Sequence, residues 1–175
     1  MICIEVLEEG FMLKKNMIIL ICCIVIFSIS GNCFAYVVTG YELPDPLNAK
    51  YYISSTVAQC TGAVNTYAQK WDVCSEIELN FSSTDYDIYY YGNYNTDNGT
   101  YAVANLTTNV VTFYYAFIMA PEAWRNEVIV HETGHCLGLA HCQPAYNSIS
   151  VMREFDFNNK AYPLSDDIAG ISYIY

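Results

Sequence analysis

Hydrophobic residues recur along the chain with two different periods, and each period predicts a type of element. Val64, Tyr67, Ala68 and Trp71 are spaced by three and four residues, which predicts a helix over residues 63–73. Other apolar residues are β-branched or aromatic and form short runs, which predicts strands. The predicted strands span residues 50–57, 76–81, 87–91, 101–106 and 110–119.

Turn and helix-end signals bound these elements. The NYNTDNG segment has the turn residues of an exposed loop. Pro121 and Glu122 predict the start of a helix, because proline is tolerated in the first turn and an acid suits the positive end of the helix dipole. Gly138 predicts the end of that helix, because glycine readily takes the left-handed backbone conformation.

The first 35 residues have the layout of a secretory signal peptide. Lys14 and Lys15 precede an apolar run over residues 17–29, and small residues lead to Ala35. The acidic residues before Met12 do not fit this layout, so Met12 is an alternative start. Because the run is shorter than the roughly 20 residues that span a bilayer, a permanent membrane span is disfavoured. We therefore expect a secreted, extracellular domain over residues 36–175.

Composition excludes two classes of protein. The 175-residue chain is 54% hydrophobic and 14% charged, which excludes a disordered polymer and predicts one packed core. The net charge of −11 leaves no basic stripe that could neutralise a phosphate backbone, so we expect no nucleic-acid partner. We expect the domain to be a monomer.

Four cysteines lie beyond residue 35: Cys60, Cys74, Cys136 and Cys142. An even number in an oxidising compartment predicts two disulfide bonds, and three pairings are open. A bridge from Cys60 to Cys74 is disfavoured, because a continuous helix would separate the two residues by about 21 Å. Buried free thiols are the alternative to disulfide bonds.

The segment VIVHETGHCLGLAH contains every histidine of the chain. His131 and His135 are four residues apart, so they project from one face of a helix, with Glu132 beside them. A turn at Gly138 would return His141 to the same place. Three neutral imidazoles suit Zn²⁺ and leave a fourth position for water, which is typical of a catalytic zinc site.

Two further segments support a family resemblance. HETGHCLGLAH matches the HExxHxxGxxH signature of the metzincin metallopeptidases, and Met152 lies where that family has its Met-turn. The final LSDDIAGISYIY resembles the closing helix of the matrixins, the group that contains the matrix metalloproteinases. The chain therefore resembles a matrixin catalytic domain over residues 36–175.

The resemblance implies an α+β, zincin-like fold. Its parts are a twisted mixed β-sheet, an active-site helix, a second backing helix and a C-terminal helix after the Met-turn. By resemblance, Met152 forms an apolar floor beneath the zinc, and Ser165 caps the C-terminal helix. Asp166 and Asp167 would steady the Met-turn and the N-terminal segment.

The resemblance also implies an activity, that of a secreted zinc-dependent endopeptidase acting on proteins or peptides. His131, His135 and His141 would hold one catalytic zinc, and Glu132 would activate the zinc-polarised water. The substrate would lie extended along an edge strand, for which residues 101–106 are the candidate.

The sequence departs from the matrixin pattern in two places. No histidine is left for a structural zinc, and residues 110–119 hold no acid for calcium, so we expect both structural metals to be absent. Arg153, Glu154 and Phe155 replace the Tyr-Pro that often follows the methionine, so the neighbouring substrate pocket is undefined by the sequence.

Two other functions are compatible with parts of the sequence. A non-peptidase zinc hydrolase would explain the histidines but not the Met-turn or the C-terminal helix. A secreted metzincin-like binding or toxin-like module would use the tyrosine-rich residues 86–101, because tyrosine offers a rigid contact area with a polar tip.

Overall fold

The computed structural model describes residues 35–57, 59–97 and 99–175. Apart from Ala35, the predicted signal peptide lies outside the described residues, and it stays a prediction. Within the described ranges, no helix has the length and apolar character to cross a membrane.

Two β-sheets organise the structure. A short antiparallel pair joins β1 (Val37–Val38) to β7 (Leu139–Ala140). The larger sheet is mixed and has the strand order β3-β2-β4-β6-β5. Its strands are β2 (Ala49–Ile53), β3 (Leu79–Phe81), β4 (Ile88–Asn93), β5 (Ala102–Asn105) and β6 (Val110–Tyr114). Strand β5 pairs antiparallel with β6 and is one of the two edge strands of this sheet among the described residues. It overlaps residues 101–106, the candidate substrate strand, and its role in substrate binding stays a prediction.

Helices accompany the sheet and follow it. They are α1 (Thr61–Ala68), α2 (Tyr115–Met119), α3 (Glu122–Cys136) and α4 (Ser165–Ile174). A 3-10 turn, Gln69–Val73, extends α1 and completes the predicted backing helix. The mixed sheet, active-site helix, backing helix and C-terminal helix confirm the predicted α+β fold.

The core lies between the large sheet and α3. Tyr90 of β4 faces this helix, and its hydroxyl is 2.8 Å from the Thr133 hydroxyl. The buried Trp71 donates its ring N–H to the carbonyl of Val130 at 3.0 Å. Tyr89 and Tyr91 alternate with Tyr90 and are half-buried on the other face of the sheet. The backing helix and the sheet therefore both fix the position of α3.

The predicted strand over residues 110–119 is wrong in its second half. The strand ends at Tyr114, and residues 115–119 form α2. Phe117 is fully buried and stacks on Phe113 with 4.3 Å between ring centroids. That contact joins residues four apart, which a helical turn permits and an extended strand does not.

The two predicted disulfide bonds are not seen in the structure. Among the described residues, Cys60, Cys74, Cys136 and Cys142 are all buried free thiols. Burial raises the pKa of Cys74 to about 12, with smaller contributions from Glu76 and other acids. Each cysteine therefore acts as a small apolar core residue, the alternative that the sequence left open.

Candidate metal centre

Three histidine side chains converge at the end of α3. His131 and His135 lie on one face of this helix, and His141 follows directly after β7. The Nε2 atom of His131 is 3.1 Å from that of His135 and 3.3 Å from that of His141. All three ligand atoms lie within 4.8 Å of one another. The structure therefore brings together the three histidines that the sequence predicts as metal ligands.

Backbone carbonyls define which ring nitrogens face the centre. The Nδ1 atoms of His131 and His135 lie 2.9 and 2.8 Å from the carbonyl oxygens of Val151 and Leu139. Because a carbonyl only accepts hydrogen bonds, each Nδ1 carries the proton and each Nε2 keeps its lone pair. Tetrahedral zinc–nitrogen bonds would separate two ligand nitrogens by about 3.3 Å. The donor set thus fits a Zn²⁺ ion.

Burial keeps the two helical histidines neutral. Burial, with a smaller contribution from the nearby His135, lowers the pKa of His131 to about 3. Burial also lowers the pKa of His135 to about 4. A metal binds only the deprotonated ring, so these side chains are ready ligands at neutral pH.

Glu132 lies beside the histidines and lines the same cavity. The residue is 8% exposed. Burial raises its pKa to about 7, and this value includes a smaller, opposite effect of a hydrogen bond with the backbone of Ala104 in β5. A carboxyl group with a pKa near neutrality can both accept and return a proton, as a general acid–base group must.

Gly138 makes the turn that returns the chain to the centre. Its φ angle of +98° is in the left-handed region, and an added Cβ would overlap the carbonyl of Tyr41. Thr39 donates its backbone N–H (2.8 Å) and its hydroxyl (3.0 Å) to the Gly138 carbonyl. The predicted left-handed end of the helix is confirmed, and the N-terminal segment holds it.

Replacing Gly138 with alanine should destabilise the protein, because the new Cβ combines backbone strain with a clash. We expect a loss of about 2–3 kcal/mol in the free energy of unfolding, measured by urea denaturation. Gly62 is a matched control, because a Cβ there meets nothing within 4 Å. Equal stability of the Gly138→Ala and Gly62→Ala variants would contradict this role of Gly138.

Met152 packs directly behind α3. It is 2% exposed, and a Cβ built on Gly134 would overlap its sulfur and the Trp71 ring. The absence of a side chain at Gly134 lets the methionine and the tryptophan approach the helix backbone. Met152 therefore packs against α3 at Gly134, the residue that precedes His135.

Asp167 connects α4 to the Met-turn. Its carboxylate accepts hydrogen bonds from the Ser150 hydroxyl (2.5 Å), the Val151 N–H (2.7 Å) and the Leu164 N–H (2.7 Å). Since the Val151 carbonyl fixes the ring of His131, Asp167 positions a candidate metal ligand through one intervening residue.

Asp166 in α4 accepts the backbone N–H of Ala35, the last residue of the predicted signal peptide, at 2.9 Å. Asp167 makes the contact with the Met-turn that the resemblance implies. The contact of Asp166 with the mature N-terminal segment stays a prediction. Ser165 does not cap the helix as predicted, because it is the first helical residue and no side-chain cap bond is formed there. Asp167 takes that place by accepting the N–H of Leu164.

Asp167→Asn should weaken metal binding. The two carboxylate oxygens of Asp167 accept three hydrogen bonds, and in asparagine an NH₂ group, which cannot accept them, replaces one of these oxygens. We expect a 10- to 100-fold loss in zinc affinity, roughly the effect of losing an outer-shell partner. Competition with a chromophoric chelator would measure it. Asp97→Asn, at an exposed position, is the control. Unchanged zinc affinity in Asp167→Asn would refute the positioning role.

An open cavity adjoins the histidines, and sequence reasoning did not define its walls. It is bounded by α3, by residues 99–102 and by residues 154–157. Tyr101, Trp124 and Phe157 form one aromatic cluster, with ring centroids 5.9–6.3 Å apart. These rings come from three separate segments, so no local spacing in the sequence indicated that they meet.

Comparisons with known proteins agree with this architecture. A sequence model of the family described as matrixin matches residues 68–175. No curated protein matches the chain significantly. Two solved structures of myroilysin are similar in fold, each at 15% sequence identity. One has a TM-score of 0.62 and covers 80% of this chain and 98% of its own; the other has a TM-score of 0.58 and covers 77% and 85%.

Proposed function

We propose that this chain, which belongs to the matrixin family of metallopeptidases, is a secreted zinc-dependent endopeptidase. The observation that carries the proposal is the convergence of three imidazole nitrogens beside a buried carboxyl group, in a cavity open to an edge strand. Ligands, general base and substrate path then lie within one site.

His131, His135 and His141 would hold the zinc ion through their Nε2 atoms. A bound zinc ion supplies Lewis acidity, which acidifies water and polarises a substrate carbonyl. The protein contributes the orientation of the ligands. The carbonyls of Val151 and Leu139 fix two of the rings, so little reorganisation is needed when the ion binds.

Glu132 would transfer the proton during hydrolysis. Its carboxylate takes a proton from the attacking water and then gives it to the amine that leaves. The burial that raises its pKa to about 7 suits both directions of transfer near neutral pH. A hydrogen bond between the Glu132 side chain and the backbone of Ala104 in β5 keeps the carboxyl group next to the proposed substrate path.

The substrate would bind as an added strand on the free edge of β5. Among the described residues no strand pairs with this edge, and an extended peptide can add to such an edge through backbone hydrogen bonds. Residues 99–102 line the cavity and lead into β5. A peptide on this edge would therefore pass Glu132 and the histidines.

The binding-module alternative remains a prediction. Tyr86 and Tyr89 of the tyrosine-rich segment stack on Tyr52, with ring centroids 5.4 and 5.7 Å apart. Tyrosines that cover one another form the outer face of a sheet, which explains the segment without a partner. Family membership also disfavours a zinc hydrolase that is not a peptidase.

A peptide library tests the proposed activity. The purified protein is incubated with the library, with and without a zinc chelator, and the products are sequenced. We expect internal cleavage that the chelator abolishes. No cleavage at full zinc occupancy would overturn the proposal and favour a binding module.

Secretion is a separate part of the proposal, supported by the layout of residues 1–35. N-terminal sequencing of the protein recovered outside expressing cells would give a start at Tyr36. Retention of the whole chain inside the cells would contradict secretion.

A further inference from the structure

Two buried charged residues have no part in the proposed mechanism. Glu127 belongs to α3, one turn before His131, and is 0% exposed. Arg153 follows Met152 directly and is 4% exposed. The Nε atom of Arg153 lies 3.7 Å from Oε1 of Glu127. Burying two charges is costly unless hydrogen bonds satisfy them, so the contacts of this pair indicate its role.

Both side chains hold the same stretch of backbone, which we call the pocket loop (residues 154–160). Glu127 accepts the N–H groups of Asn158 (3.2 Å) and Asn159 (2.7 Å). Arg153 donates to the carbonyls of Asp156 (3.2 Å) and Ser150 (2.8 Å). The pair therefore links α3, the Met-turn and the pocket loop.

The pocket loop has an unfavourable backbone that needs such support. Asp156 and Asn159 have φ angles of 64° and 63°, in the left-handed region. That region costs energy for residues with a side chain, least for aspartate and asparagine, and surrounding contacts stabilise it. Arg153 binds the carbonyl of Asp156, and Glu127 binds the N–H of Asn159. The pair thus holds the loop at both of its strained residues.

Phe157 lies between the two strained residues and forms a wall of the cavity. Its ring packs edge-on against His131, with 6.4 Å between centroids. It also contacts Tyr101 at 5.9 Å and Trp124 at 6.2 Å. A shift of the pocket loop would therefore change the width of the cavity beside the predicted zinc ligands.

We propose that Glu127 and Arg153 are positioning residues that fix Phe157, and that they thereby set which substrate side chains enter the aromatic cavity. The claim about substrate selectivity rests on the proposed peptidase function. The claim that the pair fixes Phe157 does not. The pair acts through the pocket loop and touches no reacting atom.

A fluorescence measurement tests the structural part without any activity. The chain has two tryptophans, of which Trp71 is fully buried and Trp124 contacts Phe157. Quenching by acrylamide therefore reports mainly on Trp124. We expect Glu127→Gln and Arg153→Lys to raise the quenching constant by about twofold or more, because Phe157 no longer covers the indole steadily. Quenching identical to wild type in both folded variants would overturn the proposal.

The selectivity arm uses two library-derived peptides that differ in one residue next to the cleaved bond, phenylalanine against alanine. We expect the ratio of their kcat/KM values to change by about tenfold in each variant, mostly through KM. Zinc occupancy should stay at the wild-type value. Equal losses for both peptides would show a merely structural role and contradict the proposal.

Two controls make the result specific. Lys50 and Asp85 form an exposed ion pair at 2.9 Å, so Lys50→Met should leave the ratio unchanged. In a Phe157→Ala background, the Glu127 and Arg153 substitutions should no longer alter the ratio, and a full effect there would contradict action through Phe157.

If Glu127→Gln does not fold, Arg153→Lys is measured alone. Lysine keeps the positive charge but cannot donate to the carbonyls of Asp156 and Ser150 as the guanidinium group does. Absence of all cleavage by the wild type would refute the proposed function, and the quenching of Trp124 would still test the pair.

Discussion

Replacement of Glu132 by glutamine is expected to abolish peptide hydrolysis while zinc remains bound. Glutamine keeps the shape of the side chain but cannot accept the proton of the attacking water. The rate should fall by about 10³-fold or more, at the upper end of what a general base contributes. Elemental analysis of the same sample should show unchanged zinc occupancy, because His131, His135 and His141 are intact.

Glu122→Gln is the matched control for this substitution. Glu122 is on the same helix but is exposed, at its first residue. Its loss should leave kcat/KM within about twofold of wild type, as expected for a surface substitution. A Glu132→Gln variant as active as the Glu122→Gln variant would refute the role of Glu132.

Replacement of His141 by alanine is expected to remove the metal and the activity together. His141 is the exposed member of the cluster, so its loss should cost little stability. With two nitrogens left, zinc affinity should fall by about 10³-fold or more, since three protein ligands are the minimum in catalytic zinc sites. Zinc content after dialysis and the melting temperature would separate metal loss from unfolding.

Gln143→Ala tests whether the effect is specific to the imidazole. Gln143 is exposed two residues further on, so the variant should keep both zinc and activity. Full zinc occupancy in His141→Ala would show that His141 is not a ligand.

The core of the candidate site was predictable because it is local in sequence. His131 and His135 share a helical face by spacing alone, and Gly138 had the residue type that a left-handed turn requires. The helix start at Glu122 followed from the preceding proline in the same way. Each of these features depends on fewer than ten neighbouring residues.

Features that depend on burial were not predictable. The disulfide prediction came from the expected compartment, but the four cysteines are packed as apolar side chains. The strand prediction after Tyr114 failed because the packing of Phe117 on Phe113 selects a helix. Local propensity is a weak guide where tertiary contacts decide.

Glu127 and Arg153 show the same limit within the site. Glu127 directly precedes the apolar residues 128–130 in the sequence, and Arg153 stands directly after the methionine, where matrixins often have the Tyr-Pro pair. Their pairing joins residues 26 positions apart and compensates two buried charges, which only the folded structure reveals. The signal available in the sequence was one charged residue in each of these two segments, and it does not show that the two side chains meet.

A zinc titration of the metal-free protein, followed by peptide hydrolysis, tests most directly whether one zinc ion at the three histidines is required for activity. Hydrolysis should rise in proportion to added zinc and reach its maximum at one equivalent per chain, because the three histidines form a single site. A protein that binds one equivalent of zinc and hydrolyses no peptide would contradict the proposed zinc peptidase. A hydrolysis rate that is already maximal in the metal-free protein would contradict it as well.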